Sequence, residues 1–516
     1  MSIGSLITID NKHILRIGGV EMKCVVVYSG VRQGCPLSPI LFALCSDILL
    51  REIDAHLQED ELARAFADDT GAVIADYVRS LPALHKIFHE FGEISSLKLN
   101  INKTIFIPLW PGFSSQGLRR LITEVCPAWR DIGIDTCAKY LGFFIGPGAG
   151  ERSWDKPLQK YGLRFALWST MRLGMALNAI AYRPFVASVL SFVMQLEPDA
   201  EHLTEIFEKA LRKLASGPGC WASTGDLCNL QTAYMFPAEF VDPRWTSLAA
   251  KMRVMHTVAP DYADKSREME VAPVTYGRRP FPQWHSRCYF TVLAKASEHL
   301  RSHGVTIEKV LALQSHPDKI KVSFQHIAEK LIKQAIAAPY YRDTRVRSKL
   351  YQWKLSILPG HLENRVMSRM RTIKQHCPPR VLAVYFRSLW NGWVCYERMK
   401  KLLMPRPCVL GCGWEDDGLD HYLCCGLYWD FVRRARPQGL GISYATRGKD
   451  AALLLASDLR DEDIVRMGAG LYALYRTVNH YRFSGQDPGE QSVAKLLKSF
   501  SRRALEQSAA FKLLLP

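Results

Sequence analysis

Two groups of residues in this sequence have the types and the spacing to do chemistry. The first is FADD at 66–69, which sits between two short apolar runs. Adjacent carboxylates repel one another, and the repulsion is relieved by water or by a divalent cation held between them. Magnesium takes oxygen ligands, so Asp68 and Asp69 are candidate ligands. Phosphoryl transfer with metal ions uses such a pair: one ion activates the attacking hydroxyl and another steadies the leaving oxygen. Taken alone, the pair reads more simply as a solvated turn. The second group is CVLGCGWEDDGLDHYLCC at 408–425. Cys408 and Cys412 form one half-site, and His421 with Cys425 forms the other. Three thiolates and an imidazole suit a closed tetrahedral zinc site with a structural role. Cys424 is the rival to Cys425, which is favoured because three intervening residues reach back more easily to His421. Gly411 and Gly413 let the first half wrap a metal. The simpler alternative is a set of unrelated reduced cysteines.

The elements that must position these residues can be read from periodicity. FADD lies between apolar runs, and 72–74 reads as the return strand of a hairpin. Upstream, SGVRQGCPLSPILF at 29–42 runs from a glycine-rich turn into a helix. Pro36 and Pro39 stand near its start, where a missing amide is harmless. In that turn Arg32 offers a planar fork for phosphate, Gln33 both donates and accepts, and Gly34 permits close backbone approach. A plain loop-to-helix junction explains the same residue types. The helix is expected to bury one face, bearing Leu37, Leu41, Leu44, Ile48 and Ile53. From about residue 151 onward the pattern is mostly helical. The apolar window 185–196 reads as a buried helix, too short to span a bilayer. The turn-rich stretch 215–225 reads as a boundary.

Length and charge widen the picture. A chain of 516 residues exceeds one ordinary core, which predicts several domains. The formal net charge is +17, which favours a polyanionic partner, nucleic acid before an anionic membrane surface. From 340 to 407 there are fifteen Lys and Arg against three Asp and Glu, most of the whole excess. Tyr340, Tyr341, Tyr351, Trp353, Tyr385, Phe386, Trp390 and Trp393 are interleaved with them. Such a segment can hold phosphates and stack bases, although its aromatics taken singly read as helix core. Fourteen cysteines with no secretory signal predict a reduced, intracellular chain.

Four motifs, in order, give this pattern a family. GVRQGCPLSPILF at 30–42 closely resembles the helix-bearing motif before the catalytic hairpin of LINE-type (non-LTR retrotransposon) reverse transcriptases. FADD resembles their catalytic hairpin, SSLKLNINKT at 95–104 their next motif, and KYLGFFIG at 139–146 the hairpin that grips the primer end. The cysteine segment and the preceding SLWNGWVCYERM at 388–399 are similar to the family's C-terminal end. The resemblance spans about 20–235 and, more loosely, 380–435.

It implies an α+β chain: a partial palm of antiparallel sheet plus helices over 1–150, then a mostly α-helical remainder. That remainder comprises a thumb over 151–235, a basic connector over 236–400, a zinc-binding segment over 401–440 and a helical tail over 441–516. It implies that Asp68 binds catalytic magnesium, that Asp69 shapes the site, and that Lys103 stands beside the nucleotide phosphates. Lys103 equally fits a solvated lysine at a strand end. Arg32, Gln33 and Gly34 would line the template and nucleotide, and Tyr140, Leu141 and Gly142 the primer end. The partners implied are an RNA template and a DNA primer or target, with no membrane, met in cytoplasm and nucleus. One departure stands out. The family's palm takes another metal-binding aspartate from an earlier strand, and nothing before Gln33 reproduces it. Asp10 lies too near. The expectation is an N-terminally incomplete polymerase, inactive or nearly so as this polypeptide alone.

Overall fold

The structure is a computed structural model and describes residues 11–27, 36–110, 112–275, 288–316, 321–337, 339–355, 361–400, 406–434, 444–456, 459–486 and 488–506. The chain forms two compact units, one of residues 1–153 with 271–288, the other of 154–270 with 289–516. It is mixed α+β and largely α, with every described strand in the first unit.

The first unit begins with strands β1 (Asn11–Ile17) and β2 (Val20–Val27), an antiparallel pair. Helix α1 (Ser38–His56) follows, with proline in its first turn. Strands β3 (Leu62–Phe66) and β4 (Asp69–Val73) form a hairpin, with Phe66 opposite Asp69. Helix α2 (Tyr77–Ser95) is capped by the Asp76 carboxylate, which accepts from the Arg79 amide. Beyond it come β5 (Ile105–Phe106), α3 (Ser115–Val125), β6 (Gly133–Ile134), β7 (Ala138–Tyr140) and β8 (Phe143–Ile145).

Among the described residues these strands make four separate two-stranded sheets, not one antiparallel palm sheet, and β5 pairs with β6 in parallel. The three antiparallel pairs are each closed by a local turn, whereas β5 and β6 are brought together across α3. The core is built from Leu49 and Ile53 of α1, Ala63 of β3, Leu81, Leu84 and Ile87 of α2, Leu118 and Ile122 of α3, and Trp129. Ala63 is the inward residue that anchors the hairpin. The face expected to be buried on α1 is corrected here: Ile53 is buried as expected, but Leu37, Leu44 and Ile48 are exposed and Leu49, off that stripe, is buried instead. The sequence period gave a helix but could not say which apolar stripe meets α2.

The second unit is helical. The expected buried helix at 185–196 is instead a π-turn (Tyr182–Val186) followed by two 3₁₀ turns (Ala187–Leu190 and Val193–Gln195). Pro184 lacks the amide an α-helix needs, and the broken path leaves Phe185 and Phe192 exposed while Val186 and Leu190 are buried. The turn 215–225, expected as a boundary, is a packed corner. Trp221 is buried with the Arg387 guanidinium 4.5 Å over its ring, and a Cβ on Gly392 would come within 2.5 Å of Trp221. The ranges read as zinc segment and tail fall within this unit, as do those read as thumb and connector apart from 151–153 and 271–288, which belong to the first. Its C-terminal part stacks helices α4 (Arg342–Tyr351), α5 (Leu362–His376), α6 (Pro379–Leu389), α7 (Gly426–Arg434), α8 (Asp461–Ser484) and α9 (Glu490–Leu505). The last two form a hairpin broken near 485–489.

Candidate functional site

Asp68 and Asp69 stand where the β3–β4 hairpin turns, both exposed to solvent. Ala67 adopts φ +53°, so a residue with a Cβ occupies a left-handed position that favours glycine. Such local strain tends to gather at functional turns. The hairpin's base is held by Glu61, the residue before β3. Its carboxylate accepts from the backbone amides of Gln58 (3.1 Å), Ala75 (2.9 Å) and Asp76 (3.2 Å), and from the Ser80 hydroxyl (3.2 Å). Burial alone would raise its pKa; the hydrogen bonds outweigh that and hold the carboxyl below the usual range. One acidic side chain thus ties the start of β3 to the end of β4 and to α2. Sequence reading missed Glu61, because its partners become neighbours only once the hairpin has closed.

Tyr140 ends β7, and Leu141 and Gly142 form the turn into β8, both at positive φ. A two-residue turn of this kind matches the twist of its strands. The turn comes to the carboxylate hairpin: a Cβ built on Gly71 of β4 would lie 3.5 Å from the Tyr140 ring. Lys103 ends a 3₁₀ turn (Ile101–Lys103) and is exposed. Arg32, Gln33 and Gly34 lie outside the described residues. Two solvent-facing carboxylates with hard oxygen donors suit a divalent cation chemically.

In the second unit the four sequence-assigned ligands converge. The ligand atoms of Cys408, Cys412, His421 and Cys425 all lie within 4.8 Å of one another. Gly411 and Gly413, at φ +81° and +82°, turn the first half-site, closed by a 3.0 Å bond from the Gly411 amide to the Cys408 carbonyl. The Cys412 sulfur sits 3.2 Å from His421 Nε2. A hydrogen bond from Cys408, with a further one from His421, holds the Cys425 thiol below the ordinary thiol range, while its partner Cys408 is raised. A thiolate already favoured in this set fits a metal ion that needs deprotonated sulfur. Cys424 does not join: a Cβ on Gly448 would lie 3.3 Å from its sulfur. The Trp414 ring lies parallel to that of His421 at 5.5 Å.

Between the half-sites, the fully buried Asp417 accepts from Tyr422 Oη at 2.5 Å, from the Tyr396 amide at 3.0 Å, and from Arg406 and Arg482. Arg482 belongs to α8, so a buried ion pair joins the cysteine segment to the tail.

In the basic stretch 340–407 several cations are engaged within the fold, and most of the aromatics are core, as they read singly. Arg345 pairs with buried Asp226, Lys349 donates to the Trp221 carbonyl, and Arg365 and Arg369 cap carbonyls of 454–456. Arg387 is buried. Trp353, Tyr385, Phe386, Trp390 and Trp393 are core.

Residues 5–145 match the reverse transcriptase (RNA-dependent DNA polymerase) family. The chain therefore carries a reverse transcriptase domain, and the Asp68–Asp69 hairpin lies inside it. No solved structure matches the chain. Among the described residues no helix is long and apolar enough to cross a membrane.

Proposed function

We propose that this chain is the polymerase part of a LINE-type retrotransposon protein, an RNA-directed DNA polymerase. The observation that carries the reading is the pair Asp68–Asp69, exposed at a hairpin tip with the Tyr140 turn packed against the same hairpin, inside a reverse transcriptase domain. In the reaction a primer 3′-oxygen bonds to the α-phosphorus of a deoxynucleotide, the bond to pyrophosphate breaks, and the hydroxyl proton leaves. Asp68 and Asp69 would hold magnesium, which when bound supplies charge at the attacking and leaving oxygens. Asp68 serves as the metal ligand and Asp69 shapes its surroundings. Lys103 faces the nucleotide phosphates, Arg32, Gln33 and Gly34 the template and nucleotide, and Tyr140, Leu141 and Gly142 the primer end. Zinc on Cys408, Cys412, His421 and Cys425 is structural. The partners are an RNA template and a DNA primer or target.

Residues 1–33 contain no counterpart of the family's earlier aspartate strand. Two-metal chemistry needs charge at fixed geometry, and lack of a principal ligand costs several orders of magnitude in rate. Residues 1–516 taken alone are therefore expected to bind a primer annealed to RNA and extend it barely or not at all. The second reading, a catalytically dead nucleic-acid-binding remnant, shares that behaviour. A form extended in frame upstream of Met1 separates them in a primer-extension assay. Extension that Asp68→Ala abolishes supports the enzyme, and an upstream stop codon or frameshift supports the remnant. Rapid extension by the 516-residue polypeptide would overturn the expectation of inactivity.

A further inference from the structure

Most aromatic side chains described in the 340–407 stretch are turned inward, and this makes the exceptions informative. Tyr341 is 70% exposed and Tyr351 is 89% exposed, at the two ends of α4. Ten residues at the helical rise put them about 15 Å apart. Arg347, between them, and Lys354, just beyond, are also exposed.

The opposite side of the helix is fixed at many points. Val346 and Leu350 are buried, Arg345 forks onto the Asp226 carboxylate at 2.7 Å, and Tyr340 Oη donates to the same carboxylate at 2.5 Å. Trp353 is buried and donates from its indole to the Leu389 carbonyl at 3.0 Å. Arg347 is itself steadied by a 2.5 Å bond to Glu363. So α4 cannot easily roll to bury its tyrosines. They are presented in fixed positions, with both rings open to solvent.

We propose that the outer face of α4 is a single-strand nucleic-acid platform, with bases stacked on Tyr341 and Tyr351 and phosphates met by Arg347 and Lys354. The chemistry favours this occupant. Ring faces accept any base, cations alongside take the backbone, and a rigid helix loses little entropy on binding. An apolar protein partner would be poorly matched to a face that carries Thr344, Arg347, Ser348 and Lys354 around its rings. The proposal rests on the polymerase reading only in expecting a nucleic-acid partner, and it adds a site outside the reverse transcriptase domain.

The test is fluorescence anisotropy of the full chain with a labelled 20-nucleotide single-stranded RNA and the same sequence in DNA. Tyr341→Ala with Tyr351→Ala should weaken binding at least tenfold, on the scale of base–aromatic stacking. Tyr341→Phe with Tyr351→Phe should bind as the unaltered protein does, because stacking is kept. Arg347→Gln with Lys354→Gln should flatten the salt dependence of binding, by a slope of roughly 1 to 1.5 for two lost single-strand phosphate contacts. Circular dichroism and melting of the variants check the fold. Unchanged binding by a folded alanine pair would overturn the proposal. So would equal loss in the phenylalanine pair, or loss seen only on anionic lipid vesicles. Failure of the unaltered chain to bind either single strand would overturn the proposal too, and failure to bind primer–template would count separately against the polymerase reading.

Discussion

Glu61 and Cys425 show how single side chains set the two sites, and each gives a separate outcome. Glu61 accepts hydrogen bonds from three backbone amides and a hydroxyl at the base of the β3–β4 hairpin. In Glu61→Gln an amide NH₂ would face those donors, and thermal or urea unfolding should show a loss of about 1 kcal/mol or more. The pH dependence has a definite sign. The folded-state pKa is lowered, so the carboxylate's contribution is complete above the ordinary glutamate range and is lost as pH falls through the lower folded value. The unaltered first unit should therefore destabilise in acid, and the Gln variant should lack that part of the slope. For the thiols, Cys425→Ser should remove bound zinc while Cys424→Ser retains it, as metal analysis of the purified proteins will tell. The ligand set and the carboxylate pair were legible in the sequence because their members lie close along the chain. Glu61 was not, because its partners at 75, 76 and 80 are brought near only by the folded hairpin. The Cys424–Cys425 choice was weighed from spacing alone; in the fold the two sulfurs point to different neighbours.

The elements carry their own predictions. The β3–β4 turn places Ala67 in a left-handed conformation at φ +53°. Ala67→Gly removes that steric cost and adds unfolded-chain entropy, so the first unit should gain about 0.5 kcal/mol, read as a higher unfolding midpoint. The two half-sites of the cysteine segment are 9 residues apart along the chain at Cys412 and His421, and a metal would tie them together. Chelation should speed hydrogen exchange at the Gly411 and Cys424 amides and, through the Asp417–Arg482 pair, loosen the end of α8. Unchanged exchange after zinc is stripped would contradict a structural role. Periodicity and turn signals in the sequence located α1 and the carboxylate hairpin. They misjudged which stripe of α1 is buried, since a period fixes a face only once its neighbour is known. They also took 185–196 for a regular helix, though Pro184 was in plain view.

Across the whole molecule, net charge pointed to a polyanion but could not say where it would lie. Fifteen cations in one stretch favoured a nucleic-acid contact there. In the fold several of them hold carbonyls or buried carboxylates, because helices packed at angles leave carbonyl ends that arginine can reach. The central claim is that Asp68 and Asp69 form the metal-holding edge of a nucleotide-joining site. Its most direct test is manganese titration of the zinc-loaded chain, followed by electron paramagnetic resonance. The account predicts bound manganese that magnesium displaces and that Asp68→Asn with Asp69→Asn removes, with the fold intact. Manganese binding of the same strength in that double variant would contradict it.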